Sequence, residues 1–174
     1  MKRFTVPGML CLLVGCQLAF MSCGKDKVPA RSSSYFKMKL DGVLKSYDSC
    51  WTQYSHFSTN GLEYYQMNVL SGVPGNYGGL SVNDGKAIAQ QTFNSSQKNA
   101  VTNSPMAILG AYRPQGSDDI YISYQAGWPL YDVEVVFTEF NTDYVSGTFK
   151  GKLRLRDGDK VMDVTEGEFR AINH

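Results

Sequence analysis

The chain has 174 residues, 43% hydrophobic and 19% charged, a composition that fits one globular domain and excludes an intrinsically disordered chain. Its 17 basic and 16 acidic residues give a formal net charge of +1. No electrostatic field therefore steers it toward nucleic acid.

Lys2 and Arg3 open the chain, Phe4 to Met21 carries no charge, and Ser22 is a small residue ahead of Cys23. That order predicts an export signal over residues 1–22. An uncleaved membrane helix is the alternative, since about 20 apolar residues span a bilayer. Pro7, Gly8 and Gln17 weaken the run, and no basic stop-transfer cluster follows. The segment FMSC resembles a bacterial lipobox, which implies that the Cys23 thiol receives a diacylglyceryl group and becomes the new N-terminus. LVGC, ending at Cys16, is a competing lipobox that would leave the apolar LAFM on the mature surface. Acylation at Cys23 leaves Cys50 without a partner and predicts no disulfide. Anchoring through Cys16 would let Cys23 and Cys50 pair in an oxidising periplasm, so a thiol count on the mature protein separates the two. Cys50 itself, in SCW, is expected to be a small buried apolar group. Loss of Lys2 and Arg3 leaves 15 basic against 16 acidic residues. The lipid, not surface charge, is then the expected membrane contact.

Residues 23–34, CGKDKVPARSSS, are polar, hold Pro29 and three serines, and lack apolar periodicity, so they read as a tether reaching roughly 35 to 40 Å when extended. Residues 35–174 are expected to form a single domain. Its pattern has period two, with Gly, Asn, Asp and Ser between short runs of aromatic and β-branched residues. In FKMKLDGVLKSY, Phe36, Met38 and Leu40 alternate with lysines, and Asp41-Gly42 supplies a hairpin turn. LEYYQMNVL places Tyr65, Met67 and Val69 on one side and Tyr64, Gln66 and Asn68 on the other. GVPGNYGGLSVNDG, with five glycines and a proline, reads as largely loop, and KAIAQQTF as a short helix or a strand. PMAILGAY and DDIYISYQ add two more strands.

The C-terminal third carries the clearest pattern. Tyr131, Val133, Val135 and Phe137 share a face opposite Asp132, Glu134 and Thr138, as a half-buried antiparallel strand requires. Asn141 to Asp143 make a turn, and the next strand puts Phe149, Leu153 and Leu155 inward with Lys150, Lys152, Arg154 and Arg156 outward. A two-residue loop at Asp157-Gly158 would pair Arg156 with Asp159, Leu153 with Met162 and Lys152 with Asp163, matching the basic row against Asp159, Asp163, Glu166 and Glu168. Gly167 is expected to mark a bulge that returns Phe169 to the core. The fold class is all-β: an antiparallel β-sandwich or partly open β-barrel of about eight to ten strands, with little or no helix beyond the signal.

VSGTFKGKLRLRDGDKVMDVTEGEFRAI resembles the C-terminal part of lipoproteins of unknown function from Bacteroidota, and FKMKLDGVLKSY is similar to their opening strand and DG turn. SCGKDK is similar to the start of lipoproteins that this phylum sends to the outer membrane, often to its outer face. The resemblance implies a small all-β domain held at the outer membrane, on the periplasmic face or the cell surface. It implies no catalytic residue, and only Cys23 carries over, as the lipid-bearing residue.

Candidate chemistry is sparse. His174 is the terminal residue and His56 lies in QYSHFSTN, so neither has a second histidine at zinc-ligand spacing. Asp157, Asp159 and Asp163 lack the regular spacing and closing glutamate of a calcium loop, and a hairpin turn accounts for them. Asp118 and Asp119 suit a turn before a strand, with paired acid and base work the competing role. No GK[ST] follows the glycine-rich stretch, so a phosphate loop is not indicated. Asn94 opens a glycosylation sequon that an exported bacterial lipoprotein would not ordinarily use. No catalytic motif and no cofactor site is expected. What remains is aromatic: core packing absorbs many rings, yet rings with polar tips also suit glycan or peptide contacts. Trp128, held by Pro129 in WPLY, together with Tyr131 and Trp51, form the candidate ligand-binding set. Three functions compete. A non-catalytic binding or adhesion module, taking a glycan or an envelope protein, predicts an exposed aromatic patch in loops at one end. A structural accessory subunit of an outer-membrane complex predicts an apolar strip or an open edge strand. A hydrolase predicts a cleft with convergent carboxylates.

Overall fold

A computed structural model of the chain describes residues 33–125 and 128–174, apart from the Trp128 side chain. Among the described residues there are thirteen strands and no helix: β1 (Tyr35–Leu40), β2 (Val43–Tyr47), β3 (Cys50–Thr59), β4 (Leu62–Val73), β5 (Asn76–Asp84), β6 (Thr92–Asn94), β7 (Ala107–Leu109), β8 (Tyr121–Ile122), β9 (Tyr124–Gln125), β10 (Trp128–Pro129), β11 (Glu134–Phe140), β12 (Tyr144–Leu155) and β13 (Val161–Ile172). The expected all-β class holds. Eleven strands form one sheet in the order β6-β11-β12-β13-β3-β4-β5-β7, with β1 on β13, β2 on β1 and β8 on β12, while β9 and β10 make a separate hairpin. This large mixed sheet does not close into a barrel, consistent with a sandwich-like all-β fold. Its pairings are antiparallel except for one parallel bridge, Ile172 to Trp51, between β13 and β3. The strand count exceeds eight to ten because DDIYISYQ splits into β8 and β9, and because β5, β6 and β10 form as well.

The turns follow their sequences. Asp41 and Gly42 adopt φ of 48° and 80°, and Asn60 and Gly61 adopt 52° and 74°, the positive pair that a two-residue type I′ hairpin needs. Phe36, Met38 and Leu40 are buried as the alternation requires. Val133, Val135 and Phe137 are buried too, whereas Tyr131 precedes the strand and is half-buried.

The paired motifs SGTF and GEF turn out to be one device. In the β12–β13 register Gly147 faces Phe169 and Phe149 faces Gly167. Each phenylalanine lies over the other strand's glycine: a side chain at Gly147 would start 2.8 Å from the Phe169 ring, and one at Gly167 would start 2.6 Å from the Phe149 ring. The rings continue into the core, with Phe149 stacked on Phe36 at 4.8 Å and Phe169 edge-on to Phe137 at 5.6 Å. Burying such a ring contributes roughly 1.5–3 kcal/mol. The bulge expected beside Gly167 is present. Met162 and Val164 point inward, Thr165 and Glu166 both point outward, and Gly167, Phe169 and Ala171 point inward again. One extra residue, Glu166 at φ 48°, reverses the parity.

Four expectations are corrected. The glycine-rich stretch is not loop: only the Pro74–Gly75 turn is, and Asn76–Asp84 is a strand hydrogen-bonded along β4. KAIAQQTF is irregular until it reaches β6. The loop after β12 holds four residues, not two, because Leu155 N–H closes on Lys160 C=O at 2.8 Å. The pairing is otherwise in the expected register, with Leu153 opposite Met162 and Lys152 bonded to Asp163 at 3.1 Å. Glu166 and Glu168 serve other lysines, however. β1 lies on the far side of β13, so Lys39 and Lys37 take them at 2.7 and 2.8 Å, and Lys150 turns to Glu134 on β11 at 2.9 Å.

Cys50 is buried and its thiol is free, its pKa pushed up to about 12 by burial. The expected small apolar role holds. Its pairing with Cys23 lies outside the described residues.

Candidate functional site

A mainly apolar recess lies on the outer face of β3, β4, β5 and β7, not in loops at the end of the sheet. Strand parity builds it. On β3 the even-numbered Cys50 and Thr52 turn inward and Trp51 turns outward. The register then sets Leu70 opposite Trp51, Asn68 and Gln66 further along β4, and Ser81 opposite Asn68 on β5.

Two glycines make the floor. Gly79 lies opposite Leu70 and accepts a hydrogen bond at its carbonyl from Gly110 N–H at 2.8 Å. A side chain at Gly79 would start 2.5 Å from the Val69 carbonyl oxygen, and one at Gly110 would start 3.2 Å from that of Gly79, so both positions stay bare. The missing side chains leave a groove of about 560 Å³ lined by Trp51, Leu70, Tyr77, Ser81 and Ile108.

One rim is polar and preorganised. Tyr64 OH donates to Gln66 Oε1 at 3.2 Å, and Gln66 Nε2 donates to Asn68 Oδ1 at 3.0 Å and Ser81 Oγ at 3.1 Å. This ladder fixes each amide's orientation. Among the described residues it leaves the Asn68 amide nitrogen and the Ser81 hydroxyl hydrogen without a protein partner, as donors for a ligand. Desolvation raises the Tyr64 pKa, which keeps the phenol a donor. A flat ring facing such a rim over a bare floor accommodates a ligand with an apolar face and a hydroxylated edge.

The sequence-derived candidates separate. Trp51 is half-buried and lines the groove. Tyr131 lies in a different recess of about 600 Å³, with Asp132, Lys150 and Lys152, that shares no residue with the first. Trp128 pairs through its backbone with Gln125, while its side chain, like Cys23, lies outside the described residues. Gln66, Asn68, Ser81, Gly79 and Gly110 were missing from the sequence-level set. Gln66 and Asn68 carried a signal, being on the same face of LEYYQMNVL, but the strand that completes the site was read as loop.

Elsewhere several titratable groups pair off in the structure. Arg113 binds Asp118 at 2.6 Å, and His56 Nε2 meets Glu63 Oε2 at 2.5 Å while stacking on Tyr65 at 4.2 Å. Hydrogen bonds from His56 and then Ser58 hold Glu63 below the ordinary carboxylate range. Among the described residues no three metal-ligating side chains cluster, and no helix is long and apolar enough to cross a membrane. No protein-family model matches the chain, and no curated protein or solved structure matches it either.

Proposed function

We propose that the chain is a non-catalytic binding module, lipid-anchored through Cys23 at the outer membrane, that takes a glycan in the Trp51 groove. The anchor follows from the lipobox-like FMSC and the polar tether behind it, and the outer-membrane address from the resemblance to Bacteroidota lipoproteins. The binding role rests on one observation: a half-buried tryptophan faces a glycine floor and a hydrogen-bonded amide rim in one groove. A sugar ring presents C–H groups on its faces and hydroxyls at its edge. Trp51 would stack on a face while Asn68 and Ser81 bond the edge.

The chain has two tryptophans, so Trp128→Phe leaves Trp51 as the sole indole reporter. Titration of that variant with oligosaccharides is expected to shift its emission, and Trp51→Ala in the native background is expected to weaken binding at least about tenfold, or ~1.4 kcal/mol. Equal binding by Trp51→Ala, or no response to any glycan in a broad array, removes the proposal.

A further inference from the structure

β3 and β4 pair without interruption from Cys50–Ser71 to Thr59–Leu62, yet β3 has a second neighbour only at its base. There Ile172 of β13 bridges Trp51, after which Asn173 turns away to donate its N–H to Asp143 C=O at 3.0 Å. From Gln53 to Thr59 the other edge of β3 has no strand beside it among the described residues. At ~3.4 Å per residue that edge is about 24 Å long.

Which groups are unpaired follows from the turn. A two-residue hairpin loop makes Thr59 and Leu62 a hydrogen-bonded pair, so odd-numbered residues of β3 bond to β4 and even-numbered ones aim N–H and C=O at the open edge. The base of the strand agrees with this alternation: Cys50 N–H points away from β4 and donates to Ser34 Oγ at 3.2 Å. The donors and acceptors of Tyr54, His56 and Ser58 are thus exposed together. The usual safeguards of an edge, lysine, proline or a bulge, are absent from QYSHFST. His56 is its sole titratable side chain besides Tyr54 and is occupied on the sheet face by Glu63 and Tyr65, which leaves the backbone edge clear. Tyr54 and Phe57, on opposite faces, are 45% and 48% exposed. Beside the edge lies a hollow of about 260 Å³ lined by Tyr54, Met67, Ile88 and Phe140.

We infer that this edge pairs with the same edge of a second copy, β3 antiparallel to β3, to make a two-fold dimer with one continuous sheet. The charge pattern selects that occupant. An edge of alternating N–H and C=O groups is complementary to itself under a two-fold axis, and a strand without formal charge brings no like charges together on pairing. The preceding segment GKDKVPAR is a poor occupant, since it carries four charges and Pro29 lacks an N–H. The inference is independent of any glycan, because the groove opens on the β4–β5 face and would remain open in the dimer.

The test uses the full chain extracted in density-matched detergent, with sedimentation and amide hydrogen exchange measured across a hundredfold concentration range. The expected result is a monomer–dimer equilibrium in which exchange at Tyr54, His56 and Ser58 slows at least about tenfold as concentration rises, while Gln53, Ser55 and Phe57 stay protected throughout. Ser58→Pro removes one outward donor without touching the β3–β4 ladder, and Tyr54→Lys supplies the edge lysine that opposes such pairing. Each is expected to give a monomer with unchanged thermal stability at low concentration. A monomer at every concentration overturns the inference. So does edge protection that does not vary with concentration, which would mean cover by the same chain, and so does a dimer that survives both substitutions.

Discussion

Gly167→Ala tests the reciprocal glycine–phenylalanine device. The added methyl would lie 2.4 Å from the Phe149 carbonyl oxygen and 2.6 and 2.7 Å from two atoms of its ring. Carbon and oxygen need a little over 3 Å, so β12 and β13 must part by several tenths of an ångström, or the ring must leave Phe36. Phe149 is buried between Phe36 and Phe169, so neither movement is free. Overpacking of this kind costs about 1–3 kcal/mol, and weakening one ladder bond adds about 1. A destabilisation near 3 kcal/mol lowers the melting temperature of a domain this size by roughly 10 °C. Gly85→Ala is the control, since a side chain there meets nothing closer than the Glu63 carbonyl oxygen at 3.8 Å, and its effect is expected within about 0.5 kcal/mol. Urea unfolding followed by circular dichroism, with the slope checked for constancy, measures both. If Gly167→Ala unfolds at the same denaturant concentration as Gly85→Ala, the rings do not depend on the bare positions and the reading of SGTF and GEF is wrong.

Cys50 gives a pH prediction. Its folded pKa of about 12 lies above the ordinary thiol value near 9, so the unfolded chain loses the proton first. Stability is intact below about pH 9 and falls as pH rises toward 12, in the same direction as the raised tyrosines Tyr54, Tyr64 and Tyr112. Cys50→Ala should flatten part of that slope in thermal melts across the range, and native Cys50 should resist iodoacetamide at pH 8 until denaturant is added. Asn99 is buried and accepts at Oδ1 from the N–H groups of Val101 and Thr102 at 2.8 and 3.2 Å. Asn99→Ala orphans both donors and should cost about 2 kcal/mol by chemical denaturation, with exchange at those two amides rising; unchanged exchange would show that the loop holds its shape by other means.

Period-two alternation was enough to identify the class, since Phe36, Met38, Leu40, Val133, Val135 and Phe137 each fall on the side that the pattern assigns. Local turn chemistry placed the DG hairpin, and the parity break at Gly167 was visible because a residue without a side chain interrupted an otherwise regular strand. These are local facts, decided within a few residues by backbone sterics and by which side of a strand is apolar. NYGGLSVND misled because glycine's local preference is for turns. Its strand exists because β4 and β7 hydrogen-bond to its two edges and Phe36 and Tyr47 approach Gly78 from across the core. That cover comes from distant segments and leaves no trace at the position itself. The groove depends on the same strand, so Trp51 could be singled out as an aromatic residue, but its partners Asn68, Ser81 and Gly110 could not. Likewise, spacing cannot show that Lys150 would choose Glu134, or that β13 would turn away at Asn173 and leave β3 uncovered. Alternation fixes which way a side chain points; only long-range pairing decides what it meets there.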